Sequence, residues 1–255
     1  MEFTGKIALI TGGTRGIGRE TGRKLGQKGA ELILNYWKND EAAEKTKTEF
    51  EKNRIKVSLI KADIGKPEQI KQMFKKIEKV DIFISNAVYG VVGPAVKIGK
   101  FGWSLSMDVN ARAYLLCAQE SVKRMKDNSG KIVAVSSLGS YKYIPGYTAV
   151  GASKAAIEAI TRYLAVELAE KGINVNTVSA GPVETDSLKY FKNINDLKKE
   201  WINKTPFKRI AKPEEIADVI VFLCSERAKW IQAVSYTHLR AHETSLHLVC
   251  RLLLE

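Results

Sequence analysis

The chain has 255 residues, 45% of them hydrophobic, enough for the core of one large α/β domain or two small ones. Lys and Arg number 41 against 28 Asp and Glu, a formal net charge of +13, but the basic residues are spread over stretches such as 71–76 and 97–100 without a nucleic-acid-binding motif, so nucleic acid is not the expected partner. No apolar run reaches the roughly 18 residues of a membrane span, and the first predicted strand follows Met1 too closely for a leader, so a cytoplasmic protein is expected.

Strand-like runs alternate with helical patterns along the chain. Strands are predicted at 7–10, 31–34, 56–60, 80–84, 131–135 and 173–178, and their near-continuous hydrophobicity suits burial on two faces. Helices are predicted at 16–28, 40–52, 67–78, 101–126, 149–170 and 213–225, the last opened by Pro213-Glu214-Glu215. The alternation predicts a doubly wound parallel sheet of the Rossmann kind, in a single α/β domain covering 1–232. Three scattered cysteines, Cys117, Cys224 and Cys250, have no metal or redox spacing and are read as reduced thiols.

The first strand runs into Gly12, Gly16 and Gly18, spaced G-x-x-x-G-x-G ahead of a helical pattern. Glycine lets backbone approach a pyrophosphate closely, and the helix start offers N–H groups to it. The end of the second strand reads Asn35-Tyr36-Trp37-Lys38, with no carboxylate until Asp40 to bond a ribose 2′-OH. With Arg15 in the glycine turn, a positive charge and an amide suit a 2′-phosphate, and NADPH is the predicted cofactor. The alternative is that Arg15 and Lys38 are simply solvated.

Further along, the predicted strand 131–135 ends in Ser136-Ser137, and Tyr147 stands seven residues before Lys154. Together with the glycine turn, these features resemble the short-chain dehydrogenase/reductase family. Most of that family places its catalytic tyrosine four residues before the lysine, where this chain has Val150, which cannot act as an acid. The shifted tyrosine, the retained serine and the run S-S-L-G-S at 136–140 resemble the NADPH-dependent enoyl-acyl-carrier-protein reductase III branch.

The resemblance implies a catalytic set of Tyr147, Lys154, Ser137 and Asn110, the last supporting a water chain to the lysine. Around the cofactor it implies Gly12, Thr14, Arg15, Gly16, Ile17 and Gly18 in the first turn, and Asn35 and Lys38 after the second strand. Asp63 and Ile64 would flank the adenine. Asn86 and Ala87 would flank the cofactor after the fourth strand, and Gly181 and Thr185 would lie near the nicotinamide, with Lys154 holding the ribose. No metal is implied. Tyr141 and Tyr143 remain alternative donors, read as pocket wall or surface. The polar, lysine-rich stretch 182–212 corresponds to the family's substrate lid.

Spacing and chemistry agree. Seven residues of helix rise roughly 10 Å and four rise about 6 Å. A ketone oxygen is bonded to the carbon that takes hydride, whereas an enoyl thioester oxygen lies roughly 3 Å or more from its β-carbon. Pro145-Gly146 can leave Tyr147 just outside the helix, so the helical distance is a guide only. Lys154 is expected to lower the tyrosine's pKa.

The tail from 233 departs from the family, which normally ends in a glycine-containing last strand. His238, His242 and His247 all fall there, with Cys250. A zinc cluster is one reading; resemblance to translated sequencing-adapter read-through makes a foreign end the expected one, with the final strand missing or replaced and the family's tetramer put at risk. Three functions are carried forward. The first is reduction of trans-2-enoyl-acyl-carrier-protein in bacterial fatty-acid elongation, with the acidic carrier as partner. The second is NADPH-dependent carbonyl or 3-ketoacyl reduction. The third is a non-catalytic nucleotide-binding module.

Overall fold

A computed structural model describes residues 1–126, 129–190, 194–233 and 235–238. Seven strands form one sheet: β1 (Ile7–Thr11), β2 (Glu31–Tyr36), β3 (Val57–Lys61), β4 (Ile82–Ser85), β5 (Gly130–Ser137), β6 (Ile173–Ala180) and β7 (Ser235–His238). Their order is β3-β2-β1-β4-β5-β6-β7 and every neighbouring pair is parallel. All six predicted strands form, within a residue or two of the expected limits.

Successive residues of a strand point to opposite faces, so a continuous apolar run fills two cores. Ala8, Ile10, Ile82, Ile84, Val133 and Val135 face one core, which Leu25 and Ile216 close from α1 (Gly16–Gln27) and α8 (Pro213–Cys224). Leu9, Phe83, Ile132 and Ala134 face the other. There Ile70 comes from α3 (Pro67–Phe74), Tyr114 from α5 (Ala113–Val122) and Ile157 from α6 (Thr148–Glu167). The remaining helices are α2 (Asp40–Lys52), α4 (Lys100–Met107) and α7 (Ile194–Lys204).

The fold departs from the sequence expectations in two places and, at the tail, realises the replaced final strand. The helix predicted at 101–126 is broken into α4 and α5 by a π-helical turn, Asp108–Arg112. An inserted residue of this kind re-aims a side chain, and here Asn110 is turned into the core. The stretch 182–212 is more than a polar loop: it holds α7, and its two ends meet in a bridge between Val183 and Ala211. Glu184 N donates to Ala211 O at 2.8 Å and Ala211 N to Pro182 O at 3.2 Å, closing the neck of the excursion beside the end of β6. Finally, tail residues supply the edge strand. β7 pairs with β6 from Thr177↔Ser235 to Ala180↔His238, so the sheet continues past the predicted border at 232.

Gln232 pins that border, its amide donating to Ala165 O and Ile173 O while its oxygen accepts from Val175 N. His242, His247 and Cys250 lie outside the described residues. Cys117 and Cys224 are buried free thiols. No described helix is long and apolar enough to cross a membrane.

Candidate active site

The strand order reverses between β1 and β4, and this switch point opens a crevice at the carboxyl ends of the strands. On one side lies the turn from Gly12 to Gly18. Gly12 and Gly16 have φ of +61° and +52°, a conformation that side chains rarely adopt. At Gly18 a Cβ would stand 2.5 Å from both Asn86 Nδ2 and Gly12 O. On the other side, Asn86 Nδ2 donates to Thr11 O at 3.1 Å and Gly12 O at 3.0 Å, while Thr11 Oγ1 accepts from Asn86 N and Ala87 N.

The residues that follow β4 are thereby tied to the glycine turn. Thr14 is buried and its carbonyl accepts from Thr46 Oγ1, Ile17 packs on the core, and the Thr185 methyl lies over Gly16. Gly181 follows the last residue of β6. The N-terminus of α1 has neither a side-chain cap nor an acidic residue in its first turn, so its N–H groups are available to an anion. The cradle fits a dinucleotide pyrophosphate. The sequence gives no separate signal for Gly13; a Cβ there would come 2.8 Å from Leu34 Cδ2 and 3.0 Å from Ile10 O, so the turn packs closely on β1 and β2.

Asn35 corrects one expectation. Its side chain is buried and its amide donates to Ile60 O and Ala62 O, so it holds β2 against β3 and does not offer an amide to a 2′-phosphate. Arg15 and Lys38 are exposed, with Lys38 Nζ 3.8 Å from the Trp37 ring centroid. Asp40, the first carboxylate after β2, accepts from Lys61 Nζ and Tyr36 Oη, and these hydrogen bonds hold it below the usual carboxylate range. The nearest anion is thus already paired. Asp63 and Ile64 are buried, and Asp63 Oδ1 accepts from Gly65 N at 3.0 Å.

The chemical half of the site is built from β5, the π turn and α6. Tyr147 is the N-cap of α6, outside the helix proper as Pro145-Gly146 suggests, with its phenol hydrogen-bonded to Ser137. The Ser137 Oγ also accepts from Gly139 N at 3.3 Å. Burial pushes the Tyr147 phenol up, and only the Ser137 hydrogen bond opposes this. Lys154 is not among the groups that move the phenol, contrary to expectation; its Nζ donates to Val135 O at 2.7 Å.

Lys154 is 4% exposed, and burial pulls its ammonium down to about 8, with Glu158 opposing. Val150, at the usual tyrosine position, is buried and packs on Gly90. Asn110 donates to Tyr89 O and Ser153 Oγ and accepts from Tyr89 N, so its side chain is spent locking the segment after β4 to α6. Any support it gives Lys154 must come from the π turn's backbone. Tyr143 is almost fully exposed and Tyr141 half exposed, as surface or wall.

The parallel sheet with its switch point and the positive-φ glycine turn define a dinucleotide-binding fold. The chain belongs to the short-chain dehydrogenase/reductase family: a family model described as enoyl-(acyl carrier protein) reductase matches residues 12–237. It is 37% identical over 232 residues to 1-cyclohexenylcarbonyl-CoA reductase of Streptomyces collinus, covering 89% of this chain and 82% of that protein. To tetrahydroxynaphthalene reductase of Pyricularia oryzae it is 31% identical, with 89% and 86% covered. Among solved structures, the angucycline C-6 ketoreductase LanV with bound NADP superposes with a TM-score of 0.87 at 30% identity, covering 92% of this chain and 95% of that one. The chain is an oxidoreductase of this family.

Proposed function

We propose that the protein reduces the conjugated double bond of a trans-2-enoyl thioester on acyl carrier protein, with NADPH as reductant. NADPH, when bound, supplies the hydride. The observation that carries the reading is the place of the phenol: Tyr147 caps α6 two turns before Lys154, and the position one turn before it is apolar and walled by Gly90. The Ser137 hydroxyl donates to the Tyr147 phenol oxygen, which leaves the phenol O–H to donate to a thioester oxygen as it gains charge. The buried Lys154 ammonium adds positive charge behind them. The family model's description supports this reading, as does the Streptomyces relative, whose named substrate is a thioester conjugated to a ring alkene.

Reduction of a carbonyl is the second reading, and the names of the relatives favour it more broadly. The angucycline ketoreductase is named for such a reaction. A ketone oxygen could accept from the same phenol. Rates on crotonyl and acetoacetyl thioesters separate the two readings.

NADPH is supported by the NADP bound in the ketoreductase neighbour, by Arg15 beside the glycine turn, and by an Asp40 already paired with Lys61. Arg15→Ala is expected to raise KM for NADPH about tenfold or more through loss of a charged hydrogen bond, leaving KM for NADH unchanged. Equal effects on both cofactors would count against Arg15 as the phosphate ligand. The net charge of +13 suits an acidic carrier, so KM for the carrier-bound substrate should rise with ionic strength. A KM flat in salt would remove that argument. A cytoplasmic location and a homotetramer accompany this proposal.

A further inference from the structure

One carboxylate ties the end of β5 and the turn after it to α6. Ser136 Oγ donates to Glu158 Oε1 at 2.6 Å, and Ser140 Oγ donates to the same atom at 2.7 Å. A carboxylate only accepts hydrogen bonds, so both hydroxyls are aimed at it and neither is free to serve a substrate. The two serines bracket Ser137 and the 3₁₀ turn Leu138–Ser140.

Within that bracket Gly139 forms a seat for the Tyr147 ring. A Cβ at Gly139 would stand 2.5 Å from Tyr147 Cδ1 and 2.8 Å from Cε1. On the helix side, a Cβ at Gly151 would stand 2.5 Å from Gly139 O, so the turn is held between α6 and the aromatic ring. Tyr147 precedes the first helical residue and follows Gly146 at φ +70°. Its ring is therefore placed by the surface it rests on, and that surface is the backbone of Gly139.

We propose that Glu158 is a positioning residue: by gathering Ser136 and Ser140 on one oxygen, it fixes the turn that seats the Tyr147 ring and aims the Ser137 hydroxyl. This rests on the reading of Tyr147 as the hydrogen-bond donor, whether the oxygen served belongs to an enoyl thioester or to a ketone. The need for a clamp follows from the shifted tyrosine. A donor inside the helix would inherit its place from α6; a donor at the cap requires the facing turn to be rigid.

The test uses the full chain as Ser136→Ala/Ser140→Ala, Glu158→Ala and Glu158→Gln variants, with Tyr147→Phe as reference. Four quantities are measured: kcat and KM on crotonyl and acetoacetyl thioesters, the Kd for NADPH by fluorescence, and the Tyr147 phenol titration in cofactor-free protein. The last is read as the difference between each protein and the same protein carrying Tyr147→Phe. The double serine variant should lose roughly 10- to 100-fold in kcat, the scale of an ångström-level misplacement, while still binding NADPH like the parent.

Glu158→Ala should match that loss, and Glu158→Gln, which keeps an acceptor oxygen, should recover most of it. The phenol, pushed up by burial in the parent, should titrate lower once its seat is loosened. Parental kcat with an unmoved phenol titration in the double variant would overturn the proposal. Should that variant fail to bind NADPH, Ser140→Ala alone, at a partly exposed position, decides by the same two readouts. Full activity in Tyr147→Phe would overturn the donor assignment instead, and the phenol titration would still report on the clamp.

Discussion

Tyr147→Phe is expected to lower kcat by about 10²- to 10⁴-fold, the usual contribution of a positioned acid or hydrogen-bond donor, with little change in NADPH affinity. Phenylalanine keeps the ring on Gly139 and removes only the oxygen that Ser137 contacts. The glycine turn and Asn86 lie on other elements and are untouched. Residual turnover would come from Ser137 and from the approximation of bound reactants. Steady-state rates with a parallel NADPH fluorescence titration check this. Unchanged kcat would remove Tyr147 from the chemistry. No turnover by the parent on any thioester or ketone, with NADPH still bound, would leave the non-catalytic module as the surviving reading.

Activity should fall, and stability rise, as pH increases through the range set by Lys154. Burial lowers its pKa from 10.5 to about 8, so above that value the folded protein holds a neutral amine while the unfolded chain keeps its proton up to about 10.5. The unfolded state then binds more protons between about 8 and 10.5, and the Lys154 contribution to unfolding free energy increases with pH across that window. Below about 8 the cost of a buried charge is carried in full. Over the same window the site loses the positive charge that steadies a developing oxyanion. The kcat profile should therefore bend down near pH 8 while chemical denaturation midpoints move up.

Lys154→Met should cost at least about 10²-fold in kcat/KM and abolish that bend in the residual activity. A bend that persists in this variant would assign the titration to another group. The pH profile separates the lysine's charge from its hydrogen bond to Val135 O, which the neutral amine retains, whereas Lys154→Met removes both.

Most of the sheet could be read from the chain because its strands are buried on both faces. Runs such as Ile7–Thr11 and Ile82–Ser85 have no polar alternation to confuse, and the glycine turn announces where β1 ends. Tyr147, Lys154 and Ser137 were legible as a spacing, and the structure brings them to one end of the sheet. What spacing could not convey is where a side chain spends its hydrogen bonds. Asn35 has the composition of a phosphate ligand, yet β3 consumes its amide. Asn110 sits in a pattern that reads as uninterrupted helix, yet it lies in a π turn with its side chain bonded to Tyr89 and Ser153.

Glu158 has the same invisibility. Lying four residues after Lys154, it reads as an ordinary helical carboxylate, and its two serine partners are 22 and 18 residues away in sequence. The amphipathic pattern of α7 is masked within a polar, lysine-rich stretch. At β7 the composition pointed away from the family, but backbone pairing with β6 demands little of side-chain identity, so Ser235–His238 could take the edge.

The most direct decision between the two reductions is a competition on matched carriers. Crotonyl- and acetoacetyl-acyl carrier protein are offered to the purified protein with NADPH, and products are resolved by mass. The position of Tyr147 two turns before Lys154 predicts kcat/KM for the crotonyl thioester at least about tenfold above that for the acetoacetyl thioester, with butyryl carrier as the product. Ready conversion of the acetoacetyl thioester to its alcohol, with the crotonyl thioester left untouched, would refute enoyl reduction and assign the site to carbonyls.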